Sequence, residues 1–182
     1  MKRVVFVAVL LLGFCALAMA EDVPKAEAFV GYSYYRCNQE GLTGDCNLNG
    51  GIASFTLNAF KWFSTVGEFN GTTGTVQGAD VRTLTFMFGP QVFIRRNEKV
   101  TPFVHALVGD TYIHAKSGKD TIIKEHDLSF AFGGGLDLRV RKNISLRPFQ
   151  VDYIFVRPKD AANMNNFRFG AGIVFKFGEQ GN

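Results

Sequence analysis

From Phe167 to Phe177 the residues Phe167, Phe169, Ala171, Ile173, Phe175 and Phe177 alternate without a break with Arg168, Gly170, Gly172, Val174 and Lys176. A strict period of two over this length is the pattern of an extended strand with two unlike faces. A second run has the same form: Leu128, Phe130, Phe132, Gly134, Leu136, Leu138 and Val140 alternate with Ser129, Ala131, Gly133, Gly135, Asp137 and Arg139. Read as a helix, it would carry glycines and other small residues through its middle, which helix propensity disfavours. The same reading places further strands near 26–35, 50–59, 62–70, 81–94, 102–113 and 144–157, making eight in all. The connections alternate between long (36–49, 71–80, 114–127, 158–166) and short (60–61, 95–101, 141–143). Long loops and short turns are therefore expected at opposite ends of one antiparallel sheet. Pro90 and Pro148 fall inside strands and predict a bulge or bend at each.

Alternation alone allows both a soluble eight-stranded barrel of lipocalin type and an eight-stranded transmembrane barrel. Volume separates them. An eight-stranded barrel has an interior just wide enough for side chains to fill, and the face rich in Phe, Leu, Ile and Val is too bulky to be packed inside. The other face carries Gly, Ser, Thr, Asn and scattered charges, which suits a narrow, hydrogen-bonded lumen. The strand near 102–113 is the exception, because Phe103, His105, Leu107 and Gly109 oppose Val104, Ala106, Val108 and Tyr112 with apolar residues on both faces; the second set is assigned to lipid. The expected fold is all-β, an eight-stranded antiparallel up-and-down transmembrane barrel. Closure removes sheet edges and satisfies every backbone group within hydrocarbon. Eight strands of ~10 residues fit the chain, whereas sixteen would leave no room for loops.

The first twenty residues have a different character. Lys2 and Arg3 precede an apolar run from Val4 to Leu17, and Ala18-Met19-Ala20 is a small-x-small triplet before Glu21-Asp22. This predicts a cleaved signal peptide over 1–20 and a single domain over 21–182. Removing Lys2 and Arg3 from the 20 basic residues leaves 18 against 16 acidic ones, a net charge of only +2. Nucleic acid is not expected as a partner. Cys37 and Cys46 form an even pair close in sequence in an exported chain, and a disulfide closing the first long loop is the simplest outcome. No histidine lies near them in sequence, and no metal or cofactor is expected.

The stretch Gly172-Ile173-Val174-Phe175-Lys176-Phe177 resembles the terminal signature of bacterial outer-membrane barrels, with Gly172, Phe175 and Phe177 as its marks. In such families it is what the barrel-assembly machinery recognises; here a tail, Gly178 to Asn182, follows it. Phe29-Val30-Gly31-Tyr32-Ser33-Tyr34, Trp62 to Gly71, Pro102 to Gly109 and Arg147 to Tyr153 resemble small outer-membrane barrels of the OmpA-like transmembrane-domain type. The resemblance implies a fold and an outer-membrane location, with lipid, lipopolysaccharide and the assembly machinery as partners. It implies little about activity, since one fold hosts many functions. The peptidoglycan-binding domain that follows the barrel in OmpA itself is not expected.

Candidate chemistry is sparse. Some small outer-membrane barrels modify lipid A with a His and a Ser on one surface, and the nearest spacings here are His114 with Ser117 and His126 with Ser129. Neither matches the His-x-Ser pattern of the deacylases, and no catalytic centre is expected. On the lumen face, Glu27, Glu68, Asp137 and Asp152 can meet Arg139, Arg168 and Lys176. Pairing is expected because an unpaired buried charge is costly; Lys176 is expected near Glu27, and Arg168 near Asp152. Tyr32, Tyr34, Tyr35, Trp62, Tyr112 and Tyr153 are expected in interfacial girdles. The expected role is structural or interactive, through four exposed loops of a monomer that meet host or other surface ligands. A narrow pore and a lipid A modifying enzyme are the alternatives.

Overall fold

The computed structural model describes residues 23–38, 46–76, 78–97, 99–117, 120–157 and 164–179, so the expected leader over 1–20 lies outside the described residues. Eight strands follow in order: β1 (Pro24–Asn38), β2 (Cys46–Asn58), β3 (Phe63–Val76), β4 (Ala79–Phe93), β5 (Val100–Ser117), β6 (Asp120–Arg141), β7 (Ile144–Arg157) and β8 (Met164–Glu179). Each pairs antiparallel with its sequence neighbours, and β8 closes on β1. The cross-strand path Ala28, Phe55, Gly67, Phe88, Val108, Phe130, Phe155, Asn165 returns to β1 at Asn38. That is ten residues beyond its start (38 − 28), which is the barrel's shear and tilts the strands against its axis.

Alternation sorts the side chains as expected. Val30, Phe55, Leu57, Phe69, Leu84, Phe86, Phe88, Val104, Phe132 and Phe175 point outward, while Glu27, Ser33, Ser54, Glu68, Thr85, Thr111, Ser129, Asp152 and Arg168 point in. β5 follows the lipid assignment, with Val104 outside and Phe103, His105 and Leu107 inside. The outer belt ends in polar partners at the loop end, where the hydroxyls of Tyr32, Tyr34 and Tyr153 donate to Asn49, Asn47 and Asn165. At the turn end Phe60 stacks on Trp62. On β1 the belt from Ala26 to Tyr34 is nine residues long, close to the ~9–11 that cross a bilayer at a strand tilt.

Two expectations about the loop end fail. Residues 71–80 and 114–127 are mostly strand rather than long loops: β3 runs to Val76 and β4 starts at Ala79, and β5 and β6 are separated only by 118–119. The Gly- and Thr-rich segment 71–80 includes β-branched Thr72, Thr73 and Thr75, which suit a pleated ladder. The Thr72 and Thr83 hydroxyls meet across it at 2.5 Å. Gly78, at φ 80°, supplies the left-handed residue that the tight β3–β4 turn requires. In addition, Tyr35 lies on the lumen face, buried at 7% exposure, because β1 places odd-numbered residues inside; it is not part of a girdle. Pro148 does mark a bulge, where the β7–β8 register shifts between Arg147 and Gln150. Pro90 does not: the β4–β5 register is the same at Phe88 with Val108 as at Gln91 with His105.

Candidate functional site in the barrel lumen

The inward charges are held in one connected network. Arg168 donates to Asp152 Oδ2 from Nε at 2.9 Å and from Nη2 at 2.6 Å, and its Nη2 also reaches Glu68. His105 Nε2 lies 2.7 Å from the other oxygen of Asp152. The Gln150 amide donates to Glu68 Oε2 and Asp152 Oδ2, both at 3.0 Å, and its oxygen accepts from Arg147 Nη1 at 2.8 Å. Arg147 then grips Asp137 with two bonds, 2.7 Å from Nε and 3.1 Å from Nη2. A single amide therefore links two buried ion pairs. Such networks are stabilising only when each member is satisfied, because an unpaired charge in this setting costs several kcal/mol.

Below this network a column of cations and rings runs to the turn end. Arg147 sits between the rings of Phe29 and Phe103, at 4.3 and 4.1 Å. Phe103 packs on Phe93 at 5.9 Å, and Arg95 covers Phe93 at 4.0 Å. Bulky rings inside so narrow a barrel need space opposite, and glycines provide it. A Cβ on Gly31 or Gly172 would lie 2.9 Å from the Phe29 ring, and one on Gly135 would lie 2.9 Å from that of Phe103. Close approach, rather than turn geometry, requires these glycines. Arg95 Nη2 donates to Glu27 Oε1 at 2.7 Å, and Asn58 Nδ2 donates to the same oxygen at 3.0 Å.

Toward the loop end the lumen combines buried hydroxyls, Thr72 with Thr83 and Thr85 with Thr111 and Ser129, with an apolar cluster. Tyr35, Leu48, Val66, Met87, Leu107, Ala131, Ile154 and Val156 form one buried cluster that reaches Cys37, Val76 and Val81. Cys37 and Cys46 are disulfide-bonded and are register partners on β1 and β2, so the bridge ties two strand ends together.

Of the candidate charges, Glu27, Glu68, Asp137, Asp152 and Arg168 are buried in the lumen. Lys176 is the register partner of Glu27 on the same face, but the hydrogen bonds of Glu27 go to Arg95 and Asn58. Arg139 is exposed at the turn end, opposite Ser145. Gly172, Phe175 and Phe177 lie on β8, with both rings outside. Sequence reasoning missed Arg95, Arg147, Gln150 and the pairing of His105. His105 could have been found by the parity that puts it on the lumen face; Arg147 is out of phase with Asp152 and turns inward only through the bulge at Pro148, and Arg95 lies in a turn and carries no such signal. His126 and Ser129 occupy opposite faces of β6: His126 is exposed and 2.8 Å from Asp110, whereas the Ser129 hydroxyl is buried and donates to Thr111. They do not form one site. The side chain of Ser117 lies outside the described residues.

No family model matches the chain, and no curated protein matches it in sequence. Solved structures match in fold. Neisserial surface protein A superposes with a TM-score of 0.73 at 11% identity, covering 84% of this chain and 97% of its own. Ail, the attachment invasion locus protein of Yersinia pestis, gives 0.60 at 20% identity over 86% and 100%; it has also been solved with the heparin analogue sucrose octasulfate. Outer membrane protein OprG of Pseudomonas aeruginosa gives 0.60 at 11% identity over 88% and 99%. With its apolar outer belt and closed eight-stranded sheet, the chain has the fold of the small β-barrels of the bacterial outer membrane.

Proposed function

We propose that the protein is a non-conducting anchor in the outer membrane that works through its loop end. The observation that carries this reading is the filled lumen: the Arg168 network and the apolar cluster around Met87 occupy it side by side, and Arg168, Asp152, Gln150 and Met87 are exposed by 1% or less. Residues 1–20 are removed on export in this reading, and the β8 signature serves assembly. Purified protein in planar bilayers is expected to give no discrete conductance steps. A reproducible channel in the wild-type protein would favour the narrow-pore reading instead.

The surface role rests on what the loop end displays. Arg36, Arg82, Lys116 and Arg157 are exposed there near the strand ends, and the β5–β6 hairpin, built from strands of 18 and 22 residues, is far longer than the ~10 needed to cross the bilayer. The favoured partner is an anionic surface molecule such as lipopolysaccharide or a sulfated glycan. Binding of heparin to refolded protein, weakening with salt and lost in Arg82→Glu/Lys116→Glu, is the expected result. Salt-independent or absent binding would remove this part of the reading.

A further inference from the structure

The turn end carries a rim of cations that the surface role does not use. Lys25, Arg96, Lys99, Arg139, Arg141 and Lys142 are exposed around it. The carboxylates of that end among the described side chains, Glu27 and Asp137, are buried and engaged by Arg95 and Arg147. Within this rim an open cleft of about 530 Å³ is lined by Lys61, Phe93, Ile94, Arg95 and Arg96. Ile94 and the adjacent Trp62 are about half exposed on the outer surface, so the cleft has a lipid-facing flank and a cationic floor. Arg95 supplies a second indication. Its Nη2 is bound to Glu27, but its Nε is buried and has no hydrogen-bond partner. A buried guanidinium N–H without an acceptor is uncommon and suits a phosphate oxygen.

We propose that this cleft binds the phosphate of an anionic glycerophospholipid in the periplasmic leaflet, with its acyl chains lying along Ile94 and Trp62. A lipid is favoured over free phosphate because the cationic residues are continuous with the apolar belt. The charge also selects: a zwitterionic choline head brings a cation among Lys61, Arg95 and Arg96, whereas a glycerol head does not. The inference rests on the membrane reading, which places the end opposite the long β5–β6 hairpin at the periplasmic face.

Trp62 is the chain's one tryptophan; it follows Lys61 and its carbonyl accepts from the N–H of Phe93, both lining residues, so its fluorescence reports lipid next to the cleft. The protein is refolded into vesicles of phosphatidylcholine containing a minor fraction of either brominated phosphatidylglycerol or brominated phosphatidylcholine. Brominated phosphatidylglycerol is expected to quench Trp62 more strongly at equal fraction. That excess is expected to disappear in Lys61→Glu/Arg96→Glu and to persist in Lys25→Glu, a rim charge outside the cleft. If the double reversal fails to give a folded, heat-modifiable band, Lys61→Gln/Arg96→Gln takes its place. Equal quenching by the two lipids would overturn the proposal while leaving the membrane reading intact. So would an excess removed equally by Lys25→Glu, or one abolished by inorganic phosphate in the buffer at matched ionic strength, which would indicate a free-phosphate site. Quenching by neither lipid would overturn both the proposal and the membrane reading.

Discussion

Arg168 and Asp152 face each other as register partners on the last hairpin, and Arg168 also reaches Glu68, 100 residues away in sequence. One guanidinium therefore joins the C-terminal strands to β3 across the lumen. Replacing it with Met leaves two carboxylates without their cation in a site closed to water. Arg168→Met is expected to destabilise the barrel by about 3–5 kcal/mol in urea unfolding from lipid. Adding Glu68→Gln and Asp152→Asn to that variant should recover part of the loss. No recovery would mean that shape, rather than charge, is what Arg168 supplies.

Glu27 has two cations within reach, and the geometry ranks them. Arg95 bonds it at 2.7 Å, while Lys176 shares its register position without a direct bond. Double-mutant cycles are expected to give a coupling of roughly 1–3 kcal/mol for Glu27 with Arg95 and a smaller one for Glu27 with Lys176. The reverse order would show that the turn carrying Arg95 is displaced in the bilayer.

Gly133 and Gly67 make a controlled pair. A Cβ at Gly133 would lie 2.0 Å from Asp152 Oδ1 and 2.5 Å from the Val151 carbonyl oxygen, whereas at Gly67 nothing lies within 4 Å. Gly133→Ala should cost about 1–3 kcal/mol through overpacking against the network. Gly67→Ala should stay within about 0.5 kcal/mol of wild type. Equal effects in the unfolding assay would remove the steric explanation.

The Cys37–Cys46 bridge joins residues already paired in a ladder, so its loss should weaken the barrel without preventing assembly. Cys37→Ser/Cys46→Ser is expected to retain heat-modifiable mobility and to lose stability toward the lower end of ~2–4 kcal/mol. Failure to insert would give the bridge a role in assembly.

What could be read from the sequence follows the reach of the signals involved. Period two is local, so strand number, barrel type and facing were legible, and so was Arg168 with Asp152, which one hairpin brings together. The links from Gln150 and Arg168 to Glu68 span 82 and 100 residues and exist only once the sheet closes with its particular shear. No local pattern encodes them. The volume argument put the bulky face outside correctly, yet Phe29, Phe93 and Phe103 are buried inside, in part because glycines on neighbouring strands make room for two of these rings. Composition misled at the loop end, where the Thr-rich segment 71–80 reads as a long loop but is mostly strand.

The facing of β4 gives the most direct test of the membrane reading, because adjacent residues make opposite predictions. Phe86 is 56% exposed and Met87 is 0% exposed, and both lie in the middle of the strand. In protein lacking Cys37 and Cys46, Phe86→Cys should react with a maleimide confined to the bilayer and resist a water-soluble one. Met87→Cys should resist both until urea unfolds the barrel, since its side chain lies within the apolar lumen cluster. A soluble barrel of the same topology would show the opposite preference at position 86, with the water-soluble reagent reaching it first. That result would leave some 20 large hydrophobic side chains facing water, a continuous apolar surface of a size that soluble monomers rarely display. Rapid aqueous labelling at position 86 would therefore overturn the membrane reading.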